Sequence, residues 1–406
     1  MKTQSIEHLS NDQAVPATGV TSVETPETPH ETIDRLAANC VRRIVSRIHE
    51  TQPKQREQMT ITPGCLHLVT GGSGFLGNLI ARRLLGRGDR VRILDIWKDP
   101  TLPDDIEFVN CDILNRAGVA EAMRGVDVVH HNVALVPLTK SGARFLKVNM
   151  DGSRIAAEEA GKAGVKAFIH MSSSALFGAP ATLPITEETP THPVEIYGRA
   201  KLAGEQAVRT ACEQTGIPLI VIRPRTILGE GRLGIFQILF EWIRGGKNVY
   251  VIGDGTNRFQ FVHAHDLMDA YMLALKLGRP GTYNVGTDRF GTVREALEGV
   301  IAFAKSRSRV KSLPANITIK TLTLLDAVHA SPLAPWHYLT YHKPFYFDVS
   351  NLLALGWQPQ YSNDDMFRES YQWFCRNIER ISARGNSSAH RRPVRQGLLW
   401  LLKAIS

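Results

Sequence analysis

The sequence predicts an α/β fold, a doubly wound and mainly parallel sheet followed by a smaller C-terminal lobe. Three observations carry this expectation. Six short apolar runs rich in β-branched residues are separated by stretches with helical spacing. The first run leads directly into the glycine-rich turn "TGGSGFLG". No segment recurs at a fixed period, so a repeat architecture is not indicated.

The globular part begins at Cys65 with the strand "CLHLVT", and "NLIARRLLGRG" beyond the turn has the spacing of a helix that ends in glycine. The runs "RVRILDI", "IEFVNCDI", "GVDVVHHNVAL", "VKAFIHMSS" and "IPLIVIRP" follow as the second to sixth strands. Strands alternating with helices of about ten to fifteen residues form βαβ units, whose crossovers make the strands parallel and cover both sheet faces. Before Cys65, Met1 to about His30 is rich in Thr, Pro, Glu and Ser and is expected to be disordered. Ile33, Leu36, Val41, Ile44 and Ile48 are spaced as one face of a helix, with Arg42, Arg43 and Arg47 on the other side, and a helix docked on the domain is expected. The chain is thus divided into an extension over 1–60, a core over 61–230, a lobe over 231–375 interleaved with that core, and a basic amphipathic tail over 376–406.

At 406 residues and 43% hydrophobic content the chain can bury a large core. Cys40, Cys65, Cys111, Cys212 and Cys375 are odd in number and show no CxxC or CxxxH spacing. Neither a disulfide framework nor a zinc or other metal site is expected, and a reducing, cytoplasmic setting fits. The first thirty residues hold no apolar run after a basic start, and no uncharged apolar run reaches the roughly 18 residues that span a bilayer. Most of the net charge of +9 sits at the C-terminus, where Arg376, Arg380, Arg384, Arg391, Arg392, Arg395 and Lys403 face Glu379 alone. The body is therefore close to neutral, and without interleaved aromatics or a zinc knuckle no nucleic-acid partner is expected.

Two constellations carry chemistry. Gly71, Gly74 and Gly77 lie between a strand and a helix, where glycine lets the backbone turn tightly, approach a pyrophosphate and pack the helix on the strand. Phe75 and Leu76 belong to the same cradle. Asp95 ends the next strand 18 residues after Gly77, placed to accept hydrogen bonds from adenosine ribose hydroxyls and to repel a 2′-phosphate. This is a Rossmann-type site for NAD rather than NADP, with Lys98 as the one cation nearby. In "YGRAK", Tyr197 and Lys201 are four apart and share a helix face. An ammonium beside a phenol favours the phenolate and makes tyrosine a usable acid and base.

With these motifs in order, the chain resembles the extended short-chain dehydrogenase/reductases, in particular the NAD-dependent epimerase/dehydratase family of nucleotide-sugar epimerases, dehydratases and hydroxysteroid dehydrogenases. The resemblance runs from about Cys65 to Phe374. It implies that Ser173, five residues before Gly178, hydrogen-bonds the reacting oxygen beside Tyr197, with Ser172 and Ser174 bonding strand-end backbone or assisting binding. It further implies an adenine contact for Asp112, room for the cofactor at Val133 and Ala134, the asparagine of an "N-x-x-G-T" motif at Asn149, and a proline beside the nicotinamide at Pro224. His130 and His131 are read as structural. No acidic pair follows Ser173, since Ser174 and Ala175 stand there, so 4,6-dehydration is not expected.

The C-terminal lobe is expected to bind substrate, because "GDGTNRFQFVHAHDLMDAYMLAL" and "GTYNVG" resemble the segment that closes the site in sugar-nucleotide epimerases. The family's arginine for the substrate diphosphate falls on Phe259, with Arg258 one position earlier as its replacement. The implied activity is epimerisation of a nucleotide sugar by transient hydride transfer to NAD. An NAD-dependent 3β-hydroxysteroid-type dehydrogenase acting on a sterol-like alcohol is the alternative, and a non-catalytic NAD-binding regulator a third, which the intact Ser173, Tyr197 and Lys201 set speaks against. In the tail, Leu398, Leu399, Trp400, Leu401, Leu402 and Ile405 follow a basic stretch, suited either to an anionic membrane surface or to packing on the body or on a second subunit of a homodimer.

Overall fold

All six predicted strands form: β1 (Leu66–Thr70), β2 (Arg90–Asp95), β3 (Glu107–Asn110), β4 (Val128–His131), β5 (Ala167–Met171) and β6 (Leu219–Pro224). The computed structural model describes residues 61–136, 144–327, 331 and 333–383, so the N-terminal extension with its expected helix and the tail beyond Ala383 lie outside the described residues. Later in the chain come the short parallel pairs β7 (Thr226–Leu228) with β9 (Phe261–His263) and β8 (Val249–Ile252) with β11 (Val310–Leu313). A seventh strand of the main sheet, β10 (Gly281–Val285), was not anticipated and pairs in parallel with β6, Tyr283 opposite Ile222.

The sheet order is β10-β6-β5-β4-β1-β2-β3, with every pairing parallel. Helices α1 (Phe75–Gly86), α2 (Arg116–Ala122), α3 (Gly152–Ala163) and α4 (Ile196–Thr215) make the crossovers of the first half. The chain then runs through α5 (Phe236–Arg244), α6 (Ala264–Leu277), α7 (Val293–Phe303), α8 (Ala315–Ala327), α9 (Pro335–Thr340), α10 (Ser350–Ala354) and α11 (Asn363–Ala383). Among the described residues no helix is long and apolar enough to cross a membrane, and no cluster of side chains is arranged to hold a metal ion.

Alternation along the strands divides the core. Leu68, Val129, Phe168 and Val221 face α2, α3 and α4, whose Val119, Ala156 and Val208 complete one layer. Val69, Ile93, Ile169 and Ile222 face the other way, and this second core runs from Ile80 and Leu84 of α1 to Phe259, Phe261, Phe345 and Phe367 in the C-terminal part. The order reverses between β1 and β4, which opens a crevice at their C-terminal ends.

His67, His130, His131 and His170 are buried in the central strands. Ser153 Oγ donates to Asn149 O at 2.8 Å, so it accepts from His131 Nε2 at 3.0 Å, and His131 Nδ1 is left to accept from Thr70 Oγ1 at 2.9 Å. Arg87 Nη2 donates to His67 Nε2 at 3.3 Å, so His67 Nδ1 donates to His130 Nε2 at 2.8 Å, and His130 Nδ1 is left to donate to the Tyr271 hydroxyl at 2.6 Å. Such a network holds only neutral imidazoles. Burial brings His67 down to about 4, helped by Arg87 and opposed by Asp89, and brings His131 down to about 3. Because the unfolded chain takes up protons below about 6.5 and the fold does not, stability is full above that pH and falls as pH drops from 6.5 toward 4. Each histidine adds a slope of up to about 1.4 kcal/mol per pH unit. Urea midpoints measured at decreasing pH below neutrality should therefore fall steadily; a flat profile would show these imidazoles to be solvated.

Candidate active site

The glycine turn is built so that only glycine fits. Gly71 has φ +69°, and a Cβ there would lie 2.9 Å from Val133 N, while one on Gly77 would lie 2.2 Å from Gly71 O. The loop after β4, with Val133 and Ala134, can thus pass directly over the turn. Gly74 caps α1 without a side-chain hydrogen bond, and Phe75 and Leu76 begin a first turn that contains no acid. The main-chain N–H groups and the positive end of the helix dipole are therefore left for an anion, and this glycine-only cradle fits the pyrophosphate of a dinucleotide. Asp95 is tied beside it, Oδ2 accepting from Ser73 N at 3.1 Å and Oδ1 from Ile96 N at 2.7 Å, while burial pushes its carboxyl up. Lys98 extends over the Phe108 ring at 6.0 Å.

Asp112 accepts from Leu114 N at 3.0 Å and pairs with Arg144 at 2.8 Å. Asn149 uses both ends of its carboxamide on the main chain of Leu135, at 2.9 and 3.0 Å, and so fixes the loop after β4. Pro224 closes β6 opposite Val285.

The three serines after β5 have three different tasks. Ser172 Oγ donates to Glu205 at 2.6 Å. Ser173 Oγ accepts from Ala175 N at 3.1 Å, as an ST turn does, and lies near enough to the Tyr197 hydroxyl to favour its ionised form. Ser174 Oγ accepts from Arg225 Nη1 at 3.0 Å. The Tyr197 position is set by the start of α4, where the Glu195 carboxylate accepts from Tyr197 N at 2.7 Å and Gly198 N at 2.6 Å. A Cβ on Gly198 would lie 2.5 Å from Ala175 O, so glycine lets α4 press against the turn that holds Ser173. The Phe145 ring meets the Tyr197 ring edge-on at 5.9 Å.

The expected pairing of Lys201 with the phenol takes another form. Lys201 Nζ donates to Met171 O at 2.6 Å, and burial brings it down to about 8 against the opposing charge of Glu205. Burial raises Tyr197, opposed by its bond to Ser173 and by the charge of Arg232. Arg232 lies over the Phe75 ring at 5.8 Å and is therefore the cation acting on the phenol.

Arg225 escaped the sequence reading, although "RPR" places a charged residue at the very end of a buried strand. The residue is 1% exposed. Nε donates to Gln260 O at 3.1 Å, and Phe345, Phe259 and Phe347 surround the carbon Cζ at 3.9, 4.7 and 5.8 Å. Arg258, expected to meet substrate, is exposed and stacked on Phe290 and Tyr346 at 4.6 and 4.9 Å. The arginine that reaches Ser174 is Arg225, because Phe259 fills the aromatic core and Arg258 alternates outward from it. Glu205 was also missed, an acid whose partners Arg223 and Ser172 come from neighbouring strand ends.

Residues 67–286 match the NAD dependent epimerase/dehydratase family. The uncharacterized protein y4nG of Sinorhizobium fredii is 44% identical over 336 residues, 82% of this chain and 85% of that one. UDP-arabinose 4-epimerase 1 of Arabidopsis thaliana is 31% identical over 279 residues, 58% of this chain and 67% of that one. Among solved structures, UDP-glucose 4-epimerase of Thermotoga maritima with UDP-glucose superposes with a TM-score of 0.65 at 23% identity, over 77% of this chain and 99% of that one.

Proposed function

Because the chain belongs to the NAD-dependent epimerase/dehydratase family, we propose that it is an NAD-dependent nucleotide-sugar epimerase. The observation that carries this reading is the pair of hydroxyls on Ser173 and Tyr197, the first favouring the ionised form of the second, two strands from the glycine cradle on the same edge of the sheet. The activity of the Arabidopsis relative and the UDP-glucose held by the Thermotoga neighbour support the substrate class.

NAD, when bound, supplies a reversible hydride acceptor. Gly71, Gly74, Phe75, Leu76 and Gly77 would hold its pyrophosphate, Asp95 the adenosine ribose, Asp112 the adenine, and Pro224 the nicotinamide. Val133 and Ala134 would leave room across β4, with Asn149 fixing that loop. Tyr197 Oη takes the proton of the sugar hydroxyl, and Ser173 Oγ donates to the oxygen as it becomes a carbonyl. Lys201 would hold the nicotinamide ribose, and the charge of Arg232 favours the phenolate. Tyr197 returns the proton to a keto sugar that has turned its other face, and the result is the epimer.

The test is to incubate the purified protein with NAD and UDP-hexoses or UDP-pentoses and follow the sugar by NMR. Epimer should accumulate with no net NADH. The buried Phe259 favours a second reading, a dehydrogenase of an apolar alcohol, because an aromatic core stands where a diphosphate-binding arginine is expected. Stoichiometric NADH from a hydroxysteroid, with no epimerised sugar, would establish that reading instead.

A further inference from the structure

The C-terminal lobe presents a surface for which hydride transfer has no use. Ile317 and Leu324 of α8 are the most exposed large apolar side chains among the described residues, at 67% and 69%. Seven residues apart, they share one face of the helix, with Thr321 between them and Lys320 beside them, while Leu322 on the opposite side is buried. The charge around this face has one sign. Between Glu298 and Asp326 the chain carries Lys305, Arg307, Arg309, Lys311 and Lys320 and no acid. All five are exposed, and among the described residues none of them is in an ion pair. The fold brings two more cations to them. Ser306 Oγ donates to Ile243 O at 2.6 Å and Val249 N donates to Arg309 O at 3.0 Å, so the turn that carries Arg244 and Lys247 lies against 305–309. Strands β8 and β11 run side by side from this basic end, and β11 leads through Pro314 directly into α8. At about 3.3 Å per residue, the four residues of β11 separate the basic end from the start of α8 by only about 13 Å.

Charge selects what can cover this face. The chain's own tail carries Arg384, Arg391, Arg392, Arg395 and Lys403 and no acid, so it would bring like charge to the patch. A second copy meeting the first through the same face would do so too, because a two-fold contact sets each patch against itself. A nucleic acid has the opposite sign but offers no apolar layer to Ile317 and Leu324. An anionic bilayer surface offers both, headgroups for the cations and the acyl boundary for the apolar stripe. Being a plane, it can also meet the two ends of β11 at once. We infer that the exposed face of α8, with Lys305, Arg307, Arg309, Lys311 and Lys320, docks the protein on an anionic membrane surface, where Ile317 and Leu324 enter the acyl boundary. Docking needs no turnover, so it is measured apart from epimerisation.

The test is co-sedimentation of the full chain with vesicles of phosphatidylcholine alone and of phosphatidylcholine mixed with phosphatidylserine. Binding to the anionic vesicles should be at least about tenfold tighter, and high salt should release it, because exposed charges are screened. Ile317→Asp combined with Leu324→Asp should abolish binding, and Arg307→Glu combined with Arg309→Glu should weaken it at least about tenfold. All four side chains are exposed, so thermal melts of both variants should stay close to the wild type. Failure to bind either kind of vesicle overturns the proposal. So does binding that survives both double variants, since the basic tail would then carry it. Binding removed by the glutamates but untouched by the aspartates overturns the insertion of Ile317 and Leu324 and leaves a purely electrostatic patch. A shift from dimer to monomer in Ile317→Asp with Leu324→Asp, in a protein that ignores vesicles, would give the face to a second copy instead.

Discussion

Tyr197→Phe should lower kcat for epimerisation by about 10²–10⁴-fold, while NAD affinity and thermal stability stay close to those of the wild type. The substitution keeps the ring that Phe145 meets edge-on and leaves intact the main-chain N–H groups by which Glu195 fixes the start of α4. What it removes is the phenolic oxygen that Ser173 acts on, the group placed to exchange a proton with the reacting hydroxyl. A bond that matters only while the proton moves should lower kcat and kcat/KM together. The measurement is steady-state epimerisation, with NAD titration and thermal melts on the same samples. Residual activity within about tenfold of wild type would place the proton acceptor elsewhere.

How far this site could be read from sequence depends on how local each feature is. The glycine cradle and the Tyr197–Lys201 spacing were legible because they are dictated by backbone within one turn. Strands β1, β4, β5 and β6 were legible because burial on both faces leaves unbroken apolar runs, and β2 and the edge strand β3 because β-branched and aromatic residues mark them between turn signals. Strand β10 was not: "GTYNV" contains Gly, Thr and Asn, lies at the sheet edge, and pairs only with β6. The roles of Arg225, Arg232 and Glu205 were also hidden. Arg225 meets Ser174 across 51 residues and Glu205 meets Ser172 across 33, pairings that exist only after β6 lies beside β5 and α4 packs against them. The same limit explains Arg258, which lies one residue from the aromatic core yet points outward because neighbouring residues of an extended segment alternate. It also explains Lys201, whose place on the helix face is predictable although its partner, Met171 O, is supplied by a strand 30 residues away.

Glu205→Leu should destabilise the fold by about 3–5 kcal/mol, the usual range for breaking a buried pair. Glu205 receives Arg223 through two nitrogens, at 2.6 and 3.1 Å, and its side chain is 2% exposed. Burial alone would raise this carboxyl, but the hydrogen bond and charge of Arg223, then Arg209 and Ser172, bring it down to about 2. A carboxylate held from its ordinary 4.5 to about 2 corresponds to about 3 kcal/mol at about 1.4 kcal/mol per unit. The two figures agree. With the folded value depressed, this stabilisation is complete above pH 4.5 and is lost as pH falls from 4.5 toward 2. Removing Glu205 alone strands the Arg223 guanidinium in the core, so Glu205→Leu combined with Arg223→Met should recover most of the loss in urea denaturation. A double variant no more stable than Glu205→Leu would show that the loss comes from packing around α4 and not from charge. Activity should not recover with stability. The Glu205 charge is what opposes burial at Lys201, so in the double variant Lys201 falls below about 8 and loses its proton at lower pH. The alkaline limb of kcat/KM should then move toward acid pH in the refolded double variant; an unmoved limb would mean that Glu205 supports the fold without setting the charge of Lys201.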